Sequence, residues 1–122
     1  LARLAGWATA GCEPDRMGIG PVPAVHKLLH RTCLTLPDIG LLEVNEALSA
    51  QALAVLKSWH LPDYEHVNVN GSGISLGHPI GATGIRIMTT LLHEMQRRDT
   101  RFGLETMCVG GGQGVAALFE RI

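Results

Sequence analysis

Cys108 closes an apolar run and leads, through Val109, into Gly110-Gly111-Gly112, then Gln113 and Gly114. A thiol at a strand end can serve as acid, base or nucleophile. The glycines beside it let backbone N–H groups approach a ligand closely, and such groups stabilise a developing oxyanion. A buried structural thiol is the competing reading, but a purely structural strand does not need three consecutive glycines. The pattern points to acyl chemistry.

Two further residues could join it. His78 lies in the loop Asn70–Gly84, where five of fifteen residues are glycine, so the backbone must bend sharply. The loop lacks the spacing of a phosphate or dinucleotide loop. Pro79 holds His78 in an extended conformation, and the helix start that follows favours a neutral ring there. The plainer alternative is a histidine that satisfies loop carbonyls. Asn45 ends an apolar strand pattern, and either caps the next helix or turns its amide into a site. Glu46 can bias that helix start through the dipole. His26 and His30 have i, i+4 spacing but no third ligand, so no metal site is expected. Cys12 and Cys33 read as structural thiols. Arg97, Arg98 and Arg101 read as a solvated basic cluster at a helix end.

The elements that must carry these groups follow from periodicity. Residues 1–11 predict a strand, 12–23 a Gly/Pro loop, and 24–31 a helix with Val25, Leu28 and Leu29 on one face, Pro23 standing in its first turn. Residues 39–44 predict a buried strand, and 47–59 a helix with Leu48, Ala52, Val55, Leu56 and Trp59 inward. Residues 66–70 predict a strand with Val67 and Val69 on one face. Residues 82–98 predict a helix burying Ile85, Met88, Leu92 and Met95. Strands 103–109 and 115–121 form an antiparallel hairpin. The order β-α-β-α-β-α-β-β argues an α/β fold with a mixed, mostly parallel five-stranded sheet and helices on both faces. Asn45, the glycine loop and Cys108 all follow strands and can meet at one sheet edge.

The 122 residues amount to one domain, with 46% apolar and 17% charged residues. A net charge of −1 gives no footprint for nucleic acid or an anionic membrane, and no apolar run is long enough to span a bilayer. Three scattered cysteines favour a reducing compartment over a disulfide framework. The opening LARLAGWATAG is not a convincing signal peptide, and Glu120-Arg121-Ile122 is not a peroxisomal address. These features predict a cytoplasmic fragment of a longer protein.

Together the motifs resemble the thiolase family. Val44-Asn45-Glu46-Ala47-Leu48 resembles its Asn-Glu-Ala-Phe motif, and Asn70–Arg86 its Asn-Gly-Gly…Gly-His-Pro…Gly-Arg signature. Cys108–Gly114 resembles its Cys-x-Gly-Gly-Gly-x-Gly signature, and Met17–Ala24 also fits a family segment. The resemblance covers essentially the whole chain and is specific to the C-terminal domain. It implies acyl transfer between acyl-coenzyme A molecules: Claisen condensation to a 3-ketoacyl-coenzyme A and its thiolytic reversal. By the same resemblance His78 activates a nucleophilic cysteine in a missing N-terminal domain and contributes to one oxyanion hole. Asn45 holds a water of that hole. Cys108 moves the α-proton, the N–H of Gly110 lines a second oxyanion hole, and Ala47 and Leu48 lie near the pantetheine arm. No covalent cofactor is implied, coenzyme A being part of the substrate, and a homo-oligomer is. Leu48 stands where the family has Phe, and Ser72 where it has Gly, a change expected to restrict the loop slightly. Ketoacyl synthases, which carry a second histidine, fit less well than thiolases because Cys108 occupies that position.

Two other functions compete. Cys108, His78 and Asn45 are also the residue types of a Cys-His-Asn thioester hydrolase. A non-catalytic coenzyme A-binding or assembly module is the third reading, although all three chemical groups are retained. The isolated 122-residue chain is expected to be inactive.

Overall fold

A computed structural model describes all residues, 1–122. Four strands form one sheet in the order β1-β4-β3-β2: β1 Ala2–Gly11, β2 Leu41–Val44, β3 Phe102–Val109 and β4 Gln113–Arg121. β1 and β3 both run antiparallel to β4, and only β2 and β3 are parallel. The sheet is therefore mixed, as expected, but not mostly parallel, because the N-terminal strand pairs with the C-terminal one. The hairpin β3–β4 forms as the sequence predicts, turning through Gly110-Gly111-Gly112, with left-handed φ of 83° at Gly111 and 88° at Gly112. Glycine adopts that backbone region without steric cost.

Four helices complete the fold: α1 Pro21–Thr32, α2 Ser49–Ser58, the short α3 Gly73–Leu76 and α4 Thr83–Arg97. Consecutive strand residues face opposite sides of a sheet, so Leu41 and Leu42 divide the core. Leu42, Leu104 and Leu118 pack with Val25, Leu28 and Leu29 of α1 on one face. Leu41 and Phe119 pack with Leu91 and Met95 of α4 on the other. Helices on both faces are thus confirmed. In α4 the buried stripe is Ile87, Leu91 and Met95, spaced i, i+4, i+8, whereas Ile85 is exposed. In α2, Ala52, Val55 and Leu56 turn inward, but Leu48 precedes the helix and is 69% exposed.

The expected fifth strand at 66–70 does not form. The segment makes one bridge, Leu42 to Val67, with the N–H of Leu42 donating to His66 O and that of Asn68 to Leu42 O. Asn68 then turns left-handed, with φ of 49°, and its side chain replaces the ladder. Its Oδ1 accepts from the N–H of Val44 at 2.8 Å, and its Nδ2 donates to Val44 O at 2.9 Å. The turn also splits the two valines: Val67 packs with the α1-side core and Val69 with the α4-side core.

A close backbone approach locks α1 onto β4. A Cβ added at Gly114 would stand 2.0 Å from Gly20 O, and one at Gly20 would stand 2.3 Å from Gln113 O. Neither backbone can yield without moving α1 or the strand that pairs with Cys108. Gly114→Ala is therefore expected to cost about 3 kcal/mol, measured as urea-unfolding free energy. A loss below about 0.5 kcal/mol, the range of ordinary surface changes, would contradict the contact.

Candidate active site

β2 delivers Asn45 to the sheet's edge. Its N–H donates to Thr106 O of β3 at 3.0 Å, continuing the parallel ladder by one rung. Asn45 is 0% exposed. It does not cap α2, which begins four residues later, so its amide is free for other partners. The amide nitrogen lies 3.3 Å from His78 Nδ1 and 3.4 Å from His78 Nε2, while Oδ1 is buried without a protein partner.

Thr83 fixes the imidazole. Its hydroxyl donates to Pro79 O at 2.9 Å and lies 2.7 Å from His78 Nδ1. A hydroxyl has one proton to give, so at this contact Thr83 accepts and Nδ1 carries the hydrogen. The Nε2 lone pair is then the one available to the Asn45 amide or to an incoming acid proton. Thr83, the first residue of α4, was missed in the sequence, where nothing marks it except its place five residues after His78.

Other ties hold the loop that carries His78. Glu46 accepts from Asn68 Nδ2 at 3.1 Å and from the N–H of Ile74 at 3.2 Å, so it clamps loop to strand rather than serving the α2 dipole. Ser72 is fully buried and donates to Val44 O at 3.1 Å, a stronger constraint than the slight one expected of it. Asn70 donates to Glu94 at 3.0 Å. Glu94 is held near pKa 2, chiefly by its hydrogen bond from Arg97 and also by Asn70 and Arg98. These two arginines therefore pin an α4 carboxylate that anchors the loop, and are not only a solvated basic cluster.

Cys108 lies two residues beyond Thr106 on β3 and faces the same side of the sheet. It is half-buried and hydrogen-bonds to neither His78 nor Asn45. Burial pushes its thiol pKa up, and the nearby Cys12 thiol adds to that. Gly110 is exposed at the turn, with open space around its Cα, and its carbonyl accepts from Gln113 Nε2 at 3.1 Å. Ala47 and Leu48 follow Asn45 toward α2. The exposed Leu48, Ile74, Leu76 and Ile80 thus come from the segments that carry Asn45 and His78. No group of three His, Cys, Asp or Glu side chains is arranged to hold a metal ion. The arrangement supplies an imidazole oriented by Thr83, a buried amide and a thiol whose burial favours its protonated form, at the end of a sheet.

Comparison with known proteins agrees with this fold. The family described as thiolase, C-terminal domain, matches residues 1–121. A 3-ketoacyl-CoA thiolase of Yersinia enterocolitica is 54% identical over 99% of this chain and 32% of its own length. The structure of a Bacillus anthracis acetyl-CoA acetyltransferase superposes with a TM-score of 0.97 at 53% identity, over 100% of this chain and 31% of that one. A human mitochondrial 3-ketoacyl-CoA thiolase, solved in complex with CoA, superposes with a TM-score of 0.96 at 46% identity, over 99% and 30%. The chain spans about a third of the length of the relatives it matches.

Proposed function

Because this chain belongs to the thiolase family, as its C-terminal domain, we propose that it supplies half of an acyl-transfer site acting on acyl-coenzyme A. The observation that carries the reading is the Thr83–His78–Asn45 contact, formed between loops 33 residues apart in the chain. In condensation, an acyl group is held as a thioester on a cysteine of the N-terminal domain. Cys108, as thiolate, takes a proton from the α-carbon of a second acyl-coenzyme A. The resulting carbanion attacks the thioester carbonyl, a C–C bond forms, and the departing cysteine thiolate recovers a proton from the His78 side. In thiolysis every step reverses, and Cys108 protonates the carbanion. The burial that raises its pKa suits both roles, since the thiol holds its proton at rest and is a strong base once it has lost it.

Once it has taken the proton of the nucleophilic cysteine, His78 donates from Nε2 and, with a water on Asn45 Oδ1, stabilises one oxyanion, and the free acceptor at Oδ1 fits that water. The N–H of Gly110 serves the other oxyanion. Ala47 and the exposed Leu48 border the pantetheine arm. Three unpaired thiols favour a cytoplasmic setting, and the whole enzyme is a homo-oligomer on this reading.

The test is the full-length protein assayed with acetyl-coenzyme A for condensation and with a 3-ketoacyl-coenzyme A for thiolysis. Coenzyme A-dependent cleavage is expected. Release of free acid without acyl transfer would instead establish the hydrolase reading.

A further inference from the structure

Two carboxyl groups oppose each other beneath α4. Glu43 of β2 and Glu105 of β3 are direct partners in the parallel ladder, on the face turned away from α1. Glu43 is 2% exposed, and one oxygen of each carboxyl is buried without a partner. Arg86 is the cation that acts on Glu43. Arg86 Nη2 donates to Ser72 Oγ at 3.4 Å, while its Nε and Nη1 are buried and unpartnered. Glu94 of α4 is already taken by Arg97 and Arg98, and Glu46 adds negative charge from the end of β2. Arg86 thus offsets the charge of Glu43 alone, and two like charges paired on one rung cannot both be ionised cheaply.

We propose that Glu105 is a positioning residue that shares one proton with Glu43, and that this pair with Arg86 sets the spacing of β2, β3 and α4 that seats Asn45 against His78. The inference rests on the acyl-transfer reading for its effect on activity. The connection is short. Glu43 precedes Asn45 by two residues, Glu105 precedes Thr106, and the Asn45 N–H donates to Thr106 O. Arg86 reaches the same strand through Ser72, whose hydroxyl donates to Val44 O. Burial raises both carboxyls, Glu43 to about 7 and Glu105 to about 8, the second also because Glu43 is beside it. Glu105 therefore keeps its proton longer, and Glu43, on which the Arg86 charge acts, ionises first. Losing that proton puts two carboxylates on the rung beside Asn45.

The experiment compares the full-length wild type with Glu105→Gln, whose amide can still donate to Glu43 but cannot ionise. A carboxyl with a raised folded pKa stabilises fully only below its ordinary value of 4.5, and that stability is lost as pH rises toward about 8. The Tm of Glu105→Gln relative to wild type should therefore climb between about pH 4.5 and 8 and then level off. The ratio of their kcat/KM values should rise about fivefold between about pH 7 and 9, as Glu105 ionises in the folded enzyme, Cys108 titrating alike in both. Infrared difference spectra of the wild type between about pH 6 and 9 should lose a protonated-carboxyl C=O band that Glu105→Gln lacks. Parallel pH profiles, or a wild type without that band, would overturn the inference. If Glu105→Gln does not fold, the wild-type band alone decides. A full-length protein without acyl transfer removes the functional reading, while Tm and infrared still test the shared proton.

Discussion

Cys108→Ala in the full-length protein is expected to lower kcat/KM about 10³-fold in both condensation and thiolysis, with Tm nearly unchanged. A positioned general acid or base contributes on the order of 10²–10⁴-fold, and this side chain is the one assigned to the substrate α-carbon. The thiol is half-buried and makes no side-chain hydrogen bond, so its loss removes chemistry and little packing. Wild-type condensation should also rise with pH toward the thiol's raised pKa, because the thiolate is the active form and burial opposes it. The acyl-enzyme should still form in the variant, since that step belongs to the other cysteine. Steady-state rates in both directions, with mass-spectrometric detection of the acyl group, check this. Activity within tenfold of wild type would remove Cys108 from the proton transfer.

His78→Ala should cost still more, about 10⁴-fold in kcat/KM, and should abolish acyl-enzyme formation as well. The ring is assigned both to proton transfer and to an oxyanion, each worth two or more orders of magnitude. Its orientation depends on Thr83, so Thr83→Val is the informative companion. Valine keeps the shape and removes the oxygen that accepts from Nδ1. The ring is then free to take the other tautomer, which places the hydrogen on Nε2, where a base needs a lone pair. A loss of about 10²-fold in kcat with a displaced pH profile is expected, since a wrong tautomer can cost as much or more. Acylation rates by stopped flow separate the two variants. A Thr83→Val enzyme with unchanged kcat and pH profile would show that the hydroxyl does not set the tautomer.

Local pattern determined much of this protein. Pro23 and the spacing of Val25, Leu28 and Leu29 place α1, and the glycine run at 110–112 dictates the β3–β4 hairpin. The residue types at 45, 78 and 108 named the chemistry, because a thiol, an imidazole and an amide in glycine-rich loops have few other uses. What local pattern could not carry is pairing between distant segments. The alternation at 66–70 reads as a strand, but Asn68 adopts a left-handed turn and bonds Val44 through its side chain, an outcome fixed by where β2 lies. The helical period of α4 does not say that Ile87 rather than Ile85 meets the sheet. The contacts of Asn45 with His78, of Thr83 with the ring, and of Glu43 with Glu105 join residues brought together by strand register and loop closure. Hydrogen bonds and charge pairs depend on three-dimensional separation, which sequence spacing determines within one helix or strand and not between them.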